Sequence, residues 1–141
     1  MIMNNVLRIE KLYKNYHSKK GMVVAIEDMS LDIEYGEYVA IVGPSGCGKS
    51  TLLNIIGGID TKSSGEIYMP KDIRIGYMLQ NDCLFPWLSI VDNCLLGLKI
   101  TGNLNDENRK YVIDLLNTYG LGEFMDKYPS SLSGGMKQRV G

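Results

Sequence analysis

Residues Gly43 to Thr51 read GPSGCGKST, a full match to GxxxxGK[ST] carried by Gly43, Gly48, Lys49 and Ser50. This loop constrains the fold more than any other stretch. It needs a buried strand before it and a helix after it, and the flanking residues supply both patterns. Tyr38 to Val42 is a short continuous apolar run, the mark of a strand covered on both faces. Lys49 to Gly58 reads as a helix with Leu52, Leu53, Ile55 and Ile56 as its buried stripe. The glycines of such a loop allow backbone angles that other residues resist, so successive N–H groups from Gly43, Pro44's neighbours, Ser45, Gly46, Cys47 and Gly48 can turn toward phosphate oxygens. The helix start adds unpaired N–H groups and the positive end of its dipole. Lys49 reaches the β- and γ-phosphates as a point charge, the Ser50 hydroxyl suits Mg²⁺, and Thr51 supports the α-phosphate. A nucleotide polyphosphate with Mg²⁺ is the implied ligand; GTPases, kinases and many ATPases share such loops, so the loop alone does not choose among them.

Bulk properties narrow the class. A net charge of -1 offers no basic face for nucleic acid. No apolar run approaches the ~20 residues of a membrane span, and MIMNNVLRIEKLYKNY has charges throughout and no apolar signal core. The chain reads as cytosolic. Cys47, Cys83 and Cys94 are odd in number and lack CxxC spacing, which argues for reduced thiols.

Along the chain, Val6 to Leu12 alternates as a half-buried strand. His17 to Gly21 reads as a basic turn, with His17 solvated. Met22 to Ile26 and Met29 to Ile33 read as two strands around Glu27-Asp28, and Tyr35-Gly36-Glu37 as a turn. Asp60 to Gly65 reads as a polar turn and Arg74 to Leu79 as a strand ending at Gln80. Ser89 to Lys99 shows Ile90, Val91, Cys94, Leu95 and Leu98 at helical spacing. Asp106 can cap a helix with Val112, Leu115, Leu116 and Tyr119 on one face, ending at Gly120. A last helix opens at Leu132-Ser133.

That last opening carries LSGGMKQR, Leu132 to Arg139, 83 positions after Lys49. Ser133 is a good N-cap, and Gly134-Gly135 lets a phosphate approach the helix start closely. The motif resembles the signature of ATP-binding cassette (ABC) ATPases, at the spacing of the compact transporter cassettes. The resemblance implies an α/β, P-loop NTPase fold of the ABC type: an antiparallel β-subdomain and a partial RecA-like core over residues 1–87, a helical subdomain over 88–141, and the C-terminal part of the core missing. It implies that Ser133, Gly134, Gly135 and Met136 face ATP bound by a second ABC ATPase subunit in a head-to-tail dimer. Tyr16 falls where such cassettes stack an aromatic on adenine, with Tyr13 as the rival. Gln80 falls at the Q-loop glutamine, which contacts Mg²⁺ and the attacking water. Leu84, Phe85, Pro86 and Trp87 fall where the transmembrane permease subunits dock; the residues alone leave open whether Phe85 and Trp87 fold into the core or form an exposed anchor. The wording there resembles nitrate, sulfonate and taurine importers, which work with an extracytoplasmic solute-binding protein at the cytoplasmic face of the membrane. LLNIIGGID, Leu52 to Asp60, is more like lipoprotein-release and macrolide-export cassettes. Import is the favoured reading.

Hydrolysis in this family needs an aspartate ending a buried strand, a carboxylate after it and a switch histidine. All three follow the signature helix, so the resemblance makes the chain an ATPase by family but leaves its catalytic set incomplete, with Lys49 and Gln80 in supporting roles. Glu27-Asp28 and Asp92-Asn93 are decoys, the first preceding the phosphate loop and the second helical in pattern. The missing strand belongs beside the one leading into the loop. The 141-residue chain is therefore expected to be marginally stable, and a cooperative, reversible melt at high temperature would contradict this.

Overall fold

The computed structural model describes residues 5–19, 21–79 and 81–141. The chain forms two compact units, one up to Tyr77 and one from Met78.

The first unit is built on a three-stranded antiparallel sheet in the order β2-β1-β3, with β1 (Asn5–Ser18) central, β2 (Gly21–Glu34) on one side and β3 (Ser64–Tyr68) on the other. Strand β1 runs past the alternating segment because a bulge at Lys11 resets its parity. Between Ile9↔Leu31 and Leu12↔Met29, β1 holds one extra residue, and Lys11 takes φ 48. The inward set changes from Leu7 and Ile9 to Leu12 and Lys14. Between Leu12↔Met29 and Lys14↔Ile26 the extra residue lies on β2, where Asp28 takes φ 46. One continuous bulged strand therefore replaces the two expected around Glu27-Asp28. His17 is exposed but pairs with Met22 in the ladder rather than sitting in a turn. The polar turn expected to reach Gly65 ends sooner, since Ser64 to Tyr68 pairs with β1.

Helix α1 (Lys49–Ile56) packs Leu52 and Ile55 onto Leu7, Ile9, Leu12 and Ile26. Leu53, assigned to the buried stripe, is exposed. The expected strands Tyr38–Val42 and Arg74–Leu79 form no ladder. Strand geometry persists only where a neighbour takes its N–H and C=O groups, and these runs find none among the described residues. Tyr38 and Val42 face solvent, and only Ile41 of that run packs on the core.

The second unit is helical. Helix α2 (Ile90–Ile100) starts at Ser89, whose Oγ accepts the Asp92 N–H at 3.2 Å and donates to the Asp92 carboxylate. Helix α3 (Asp106–Thr118) is capped by Asn105 rather than Asp106, since the Asn105 side chain accepts the Asn108 N–H at 2.8 Å. Tyr119, expected on its buried face, lies beyond its end and is exposed. Helix α4 is Gly134–Val140. Ile90, Leu116, Leu121 and Leu132 form the core, with Met136 and Val140 against it. The first N–H groups of α2 are taken by the Lys127 and Met125 carbonyls at 2.9 and 3.0 Å, which binds the α3–α4 connection to α2.

The loop before α2 is closed by one amide. Asn93 accepts the Phe85 N–H at 2.8 Å and donates to the carbonyls of Phe85, Leu88 and Ser89 at 3.2, 3.2 and 2.9 Å. Phe85 and Trp87 meet edge to face at 5.2 Å, and Trp87 remains 68% exposed.

Two outcomes follow from this packing. Asn93→Ala should cost roughly 1–3 kcal/mol and lower the emission anisotropy of Trp87, the sole tryptophan; unchanged anisotropy would show that the loop holds without the amide. In the first unit, Asp60 accepts from Lys14, Tyr16 and the Thr61 N–H, which hold its carboxyl at about 2. Its unfolded value is near ~3.9, so the stabilisation is complete above that pH and is lost as pH falls toward 2. The difference in urea midpoint between wild type and Asp60→Asn should be constant above about pH 5 and close between pH 4 and 2.

Candidate functional site

The site begins where α1 meets the sheet. Gly48 is the N-cap of α1 with φ 94, and no side chain bonds to the helix start. A Cβ at Gly48 would collide with the Ala25 carbonyl oxygen of β2. The residue is glycine for two reasons, its left-handed backbone and its approach to a neighbouring strand. Gly46 also has a positive φ, at 81. With the first turn of α1 left uncapped, its N–H groups and positive dipole end are available to an anion.

Lys49 lies across its own loop. Its ammonium donates to the Gly43 and Pro44 carbonyls at 2.7 Å each and lies 3.6 Å from Cys47 Sγ. These carbonyls are weak partners for a full positive charge, and a phosphate oxygen is a better one. Ser50 is exposed and Thr51 half-buried. Pro44 and Cys47 close a turn through the Cys47 N–H at 3.4 Å. Ser45 and Gly46 are exposed at the tip. A cavity of about 270 Å³ adjoins the loop, lined by Gly48, Lys49 and Leu52 from α1 and Ala25 and Glu27 from β2. A wider open groove of about 570 Å³ runs along Arg8, Lys11, Asp32 and Glu66. Arg8 is paired with Glu10 and Asp32, and Glu66 with Lys62, and strands rather than a helix start line it, so it offers no comparable anion cradle.

The residues present therefore fit a nucleotide polyphosphate: a cradle that a Cβ would fill, an uncapped helix start and one cation on a long flexible stem. All three thiols are free, with Cys47 and Cys83 exposed. Burial pushes the Cys94 thiol up. No cluster of three metal-ligating side chains occurs among the described residues.

The remaining sequence-predicted residues fall as follows. Tyr16 is on β1, 40% exposed, with its hydroxyl on Asp60. Its rival Tyr13 is half-buried, and desolvation together with Asp28 and Glu27 raises its phenol. Gln80 lies outside the described residues. Leu84 is half-buried while Phe85, Pro86 and Trp87 are exposed. Ser133 caps α4, accepting the Met136 N–H at 3.4 Å, and Gly134 and Gly135 are exposed at the helix start. The Met136 side chain packs on the helical core, leaving its backbone at the surface motif. Arg139 donates to the Tyr119 carbonyl at 2.9 Å and ties α4 to the end of α3. Sequence reasoning missed Lys14, Asp60 and the reach of the Asn93 amide. Lys14 and Tyr16 share strand parity, a signal the sequence does contain, but Asp60 is brought to them only by the fold.

Comparison with known proteins agrees with this geometry. Residues 26–141 match the family model described as ABC transporter. The chain is 44% identical over 95% of its length to the "Uncharacterized ABC transporter ATP-binding protein YtlC" of Bacillus subtilis, of which it covers 54%. It is 42% identical over 95% of its length to the nitrate import ATP-binding protein NrtD of Synechocystis, covering 53% of that protein. To the taurine import ATP-binding protein TauB of Yersinia pestis it is 38% identical over 96%, covering 54%. The chain thus spans about half the length of these curated relatives. Among solved structures, it superposes on the dimeric ATP-binding cassette MJ0796 bound to ADP and Pi with a TM-score of 0.83 and 33% identity, over 95% of this chain and 66% of that one. No described helix is long and apolar enough to cross a membrane. Motifs, fold and relatives agree, and the chain belongs to the ABC transporter family as part of its ATP-binding domain.

Proposed function

We propose that this chain is the nucleotide-binding portion of an import-type ABC ATPase. The observation that carries the reading is the glycine-lined loop at Gly43–Thr51, with Lys49 folded across it and α1 uncapped behind it. In this reading Gly43, Pro44, Ser45, Gly46, Cys47 and Gly48 wrap the phosphates of ATP. Lys49 exchanges two loop carbonyls for β- and γ-phosphate oxygens, and Thr51 supports the α-phosphate. Ser50 and Gln80 would hold Mg²⁺, which supplies charge neutralisation on the phosphates. Tyr16 stacks on the adenine.

Ser133, Gly134, Gly135 and the Met136 backbone then serve ATP bound to a second ATPase subunit, as the second half of a head-to-tail sandwich. The dimeric form of MJ0796 supports this arrangement. The loop Leu84 to Trp87 docks on the permease subunits, supported by the exposed Trp87 and the Asn93 hydrogen bonds that close the loop. Residues 1–87 form the β-subdomain and the start of the ATP-binding core, and 88–141 the helical subdomain. The importer names among the relatives support import, with an extracytoplasmic solute-binding protein completing the system and this subunit at the cytoplasmic face of the membrane. ATP-driven closure of the dimer drives transport. Residues 1–141 bind ATP without turning it over by themselves, because the carboxylate that activates water in this family is not among them.

Lys49→Ala should abolish MgATP binding in a calorimetric titration, and undiminished binding in that variant would overturn the assignment. Gly48→Ala forces a Cβ into the Ala25 carbonyl with φ at 94, which should lower stability by roughly 1–3 kcal/mol and weaken ATP with it. Phosphate release by the 141-residue chain should stay at background while ATP binds; sustained release would show that the chemistry is complete within it.

A further inference from the structure

Lys14, Tyr16 and Asp60 form a built cluster that the nucleotide-binding loop does not include. Lys14 and Tyr16 are two residues apart on β1, which puts them on the same side of the strand. Lys14 is buried at 7% exposure, and its ammonium donates to Asp60 Oδ1 and to the Thr61 carbonyl at 2.6 Å each. The other carboxylate oxygen, Oδ2, accepts the Tyr16 hydroxyl at 2.6 Å. The same ammonium lies 4.7 Å from the centroid of the Tyr16 ring. Asp60 Oδ1 also accepts the Thr61 N–H at 2.7 Å, which fixes the carboxylate itself.

A tyrosine side chain swings about two torsions. Here the hydroxyl is tethered at its far end, and one face of the ring is under a cation. Both restraints come from residues that are themselves fixed: Lys14 by burial and two acceptors, Asp60 by three donors. A buried ammonium needs such partners, because an unpaired one is expensive to keep out of water. Nothing about sheet packing requires the tyrosine hydroxyl, since phenylalanine would cover the same apolar area. The tether therefore acts on the ring's orientation.

We propose that Lys14 and Asp60 are positioning residues that hold the Tyr16 ring in place as a preformed wall for the nucleotide base. The proposal rests on Tyr16 being the residue that stacks on adenine. A base meeting this ring has one face open to it and no ring motion to arrest, so the clamp raises affinity by removing an ordering cost from binding. Stacking is tolerant of base identity, so the clamp strengthens binding of any base and leaves the phosphate contacts alone.

The test titrates the full chain with MgATP and, separately, with magnesium tripolyphosphate, which has phosphates and no base. Tyr16→Ala should weaken ATP by roughly tenfold or more, the usual scale for loss of one stacked base. Tyr16→Phe keeps the ring and deletes only the tether, and Asp60→Ala deletes its anchor. Each should weaken ATP roughly threefold to tenfold, with tripolyphosphate within about twofold of wild type in every variant. Tripolyphosphate binding also reports that the loop remains folded. Wild-type ATP affinity in Tyr16→Phe, alongside a loss in Tyr16→Ala, overturns the clamp and leaves the stacking assignment standing. Wild-type affinity in Tyr16→Ala overturns the stacking assignment itself. Equal loss of both ligands in Tyr16→Phe also overturns the clamp, because the effect would then act through the loop.

Discussion

The approach of Gly48 to the Ala25 carbonyl is the contact on which the phosphate loop depends. It brings the start of α1 against β2 more closely than any side chain would permit. Once the backbone is there, Leu52 and Ile55, about one and two turns later, fall onto Leu7, Ile9, Leu12 and Ile26. Burial of those side chains holds the helix in place, at roughly 1.5–3 kcal/mol for each fully buried one. The helix in turn aims its uncapped N–H groups at the loop. Cradle and core are thus one construction, and glycine at this position is required by packing as much as by chemistry.

The sheet beneath it shows how a single inserted residue redistributes side chains. A regular β1 would keep Tyr13 on the inward side with Leu7 and Ile9. The bulge at Lys11 moves Leu12 and Lys14 inward instead. A lysine in that position needs a counter-charge, and Asp60 in the loop after α1 supplies it. The same ion pair ties β1 to the end of the α1 segment and gathers the Tyr16 hydroxyl. Strand irregularity, buried charge and aromatic placement follow from one inserted residue.

Legibility in the sequence followed the range of the interactions. GPSGCGKST and LSGGMKQR were readable because what they form is local: left-handed Gly46 and Gly48, and helix starts at Lys49 and Gly134. The helices were readable from periodicity, with errors at their edges, where Asn105 displaced Asp106 as the cap and Leu53 and Tyr119 turned outward. The strands were read less well. Periodicity loses phase at a bulge, so β1 looked short and β2 looked like two pieces. Tyr38–Val42 and Arg74–Leu79 have strand-like composition, yet strand pairing depends on partners remote in sequence, and composition does not provide them.

By itself the sequence determined the family, the loop that can cradle a polyphosphate and the residue types that line it, because each rests on neighbours along the chain. Only the tertiary structure decided that Lys14 turns inward, that Asp60 meets both it and Tyr16 from more than forty residues away, and that one Asn93 amide closes the loop presenting Trp87. Those outcomes depend on which groups are brought together out of water. A buried cation or backbone amide takes whatever partner the fold delivers, and that choice is made in space.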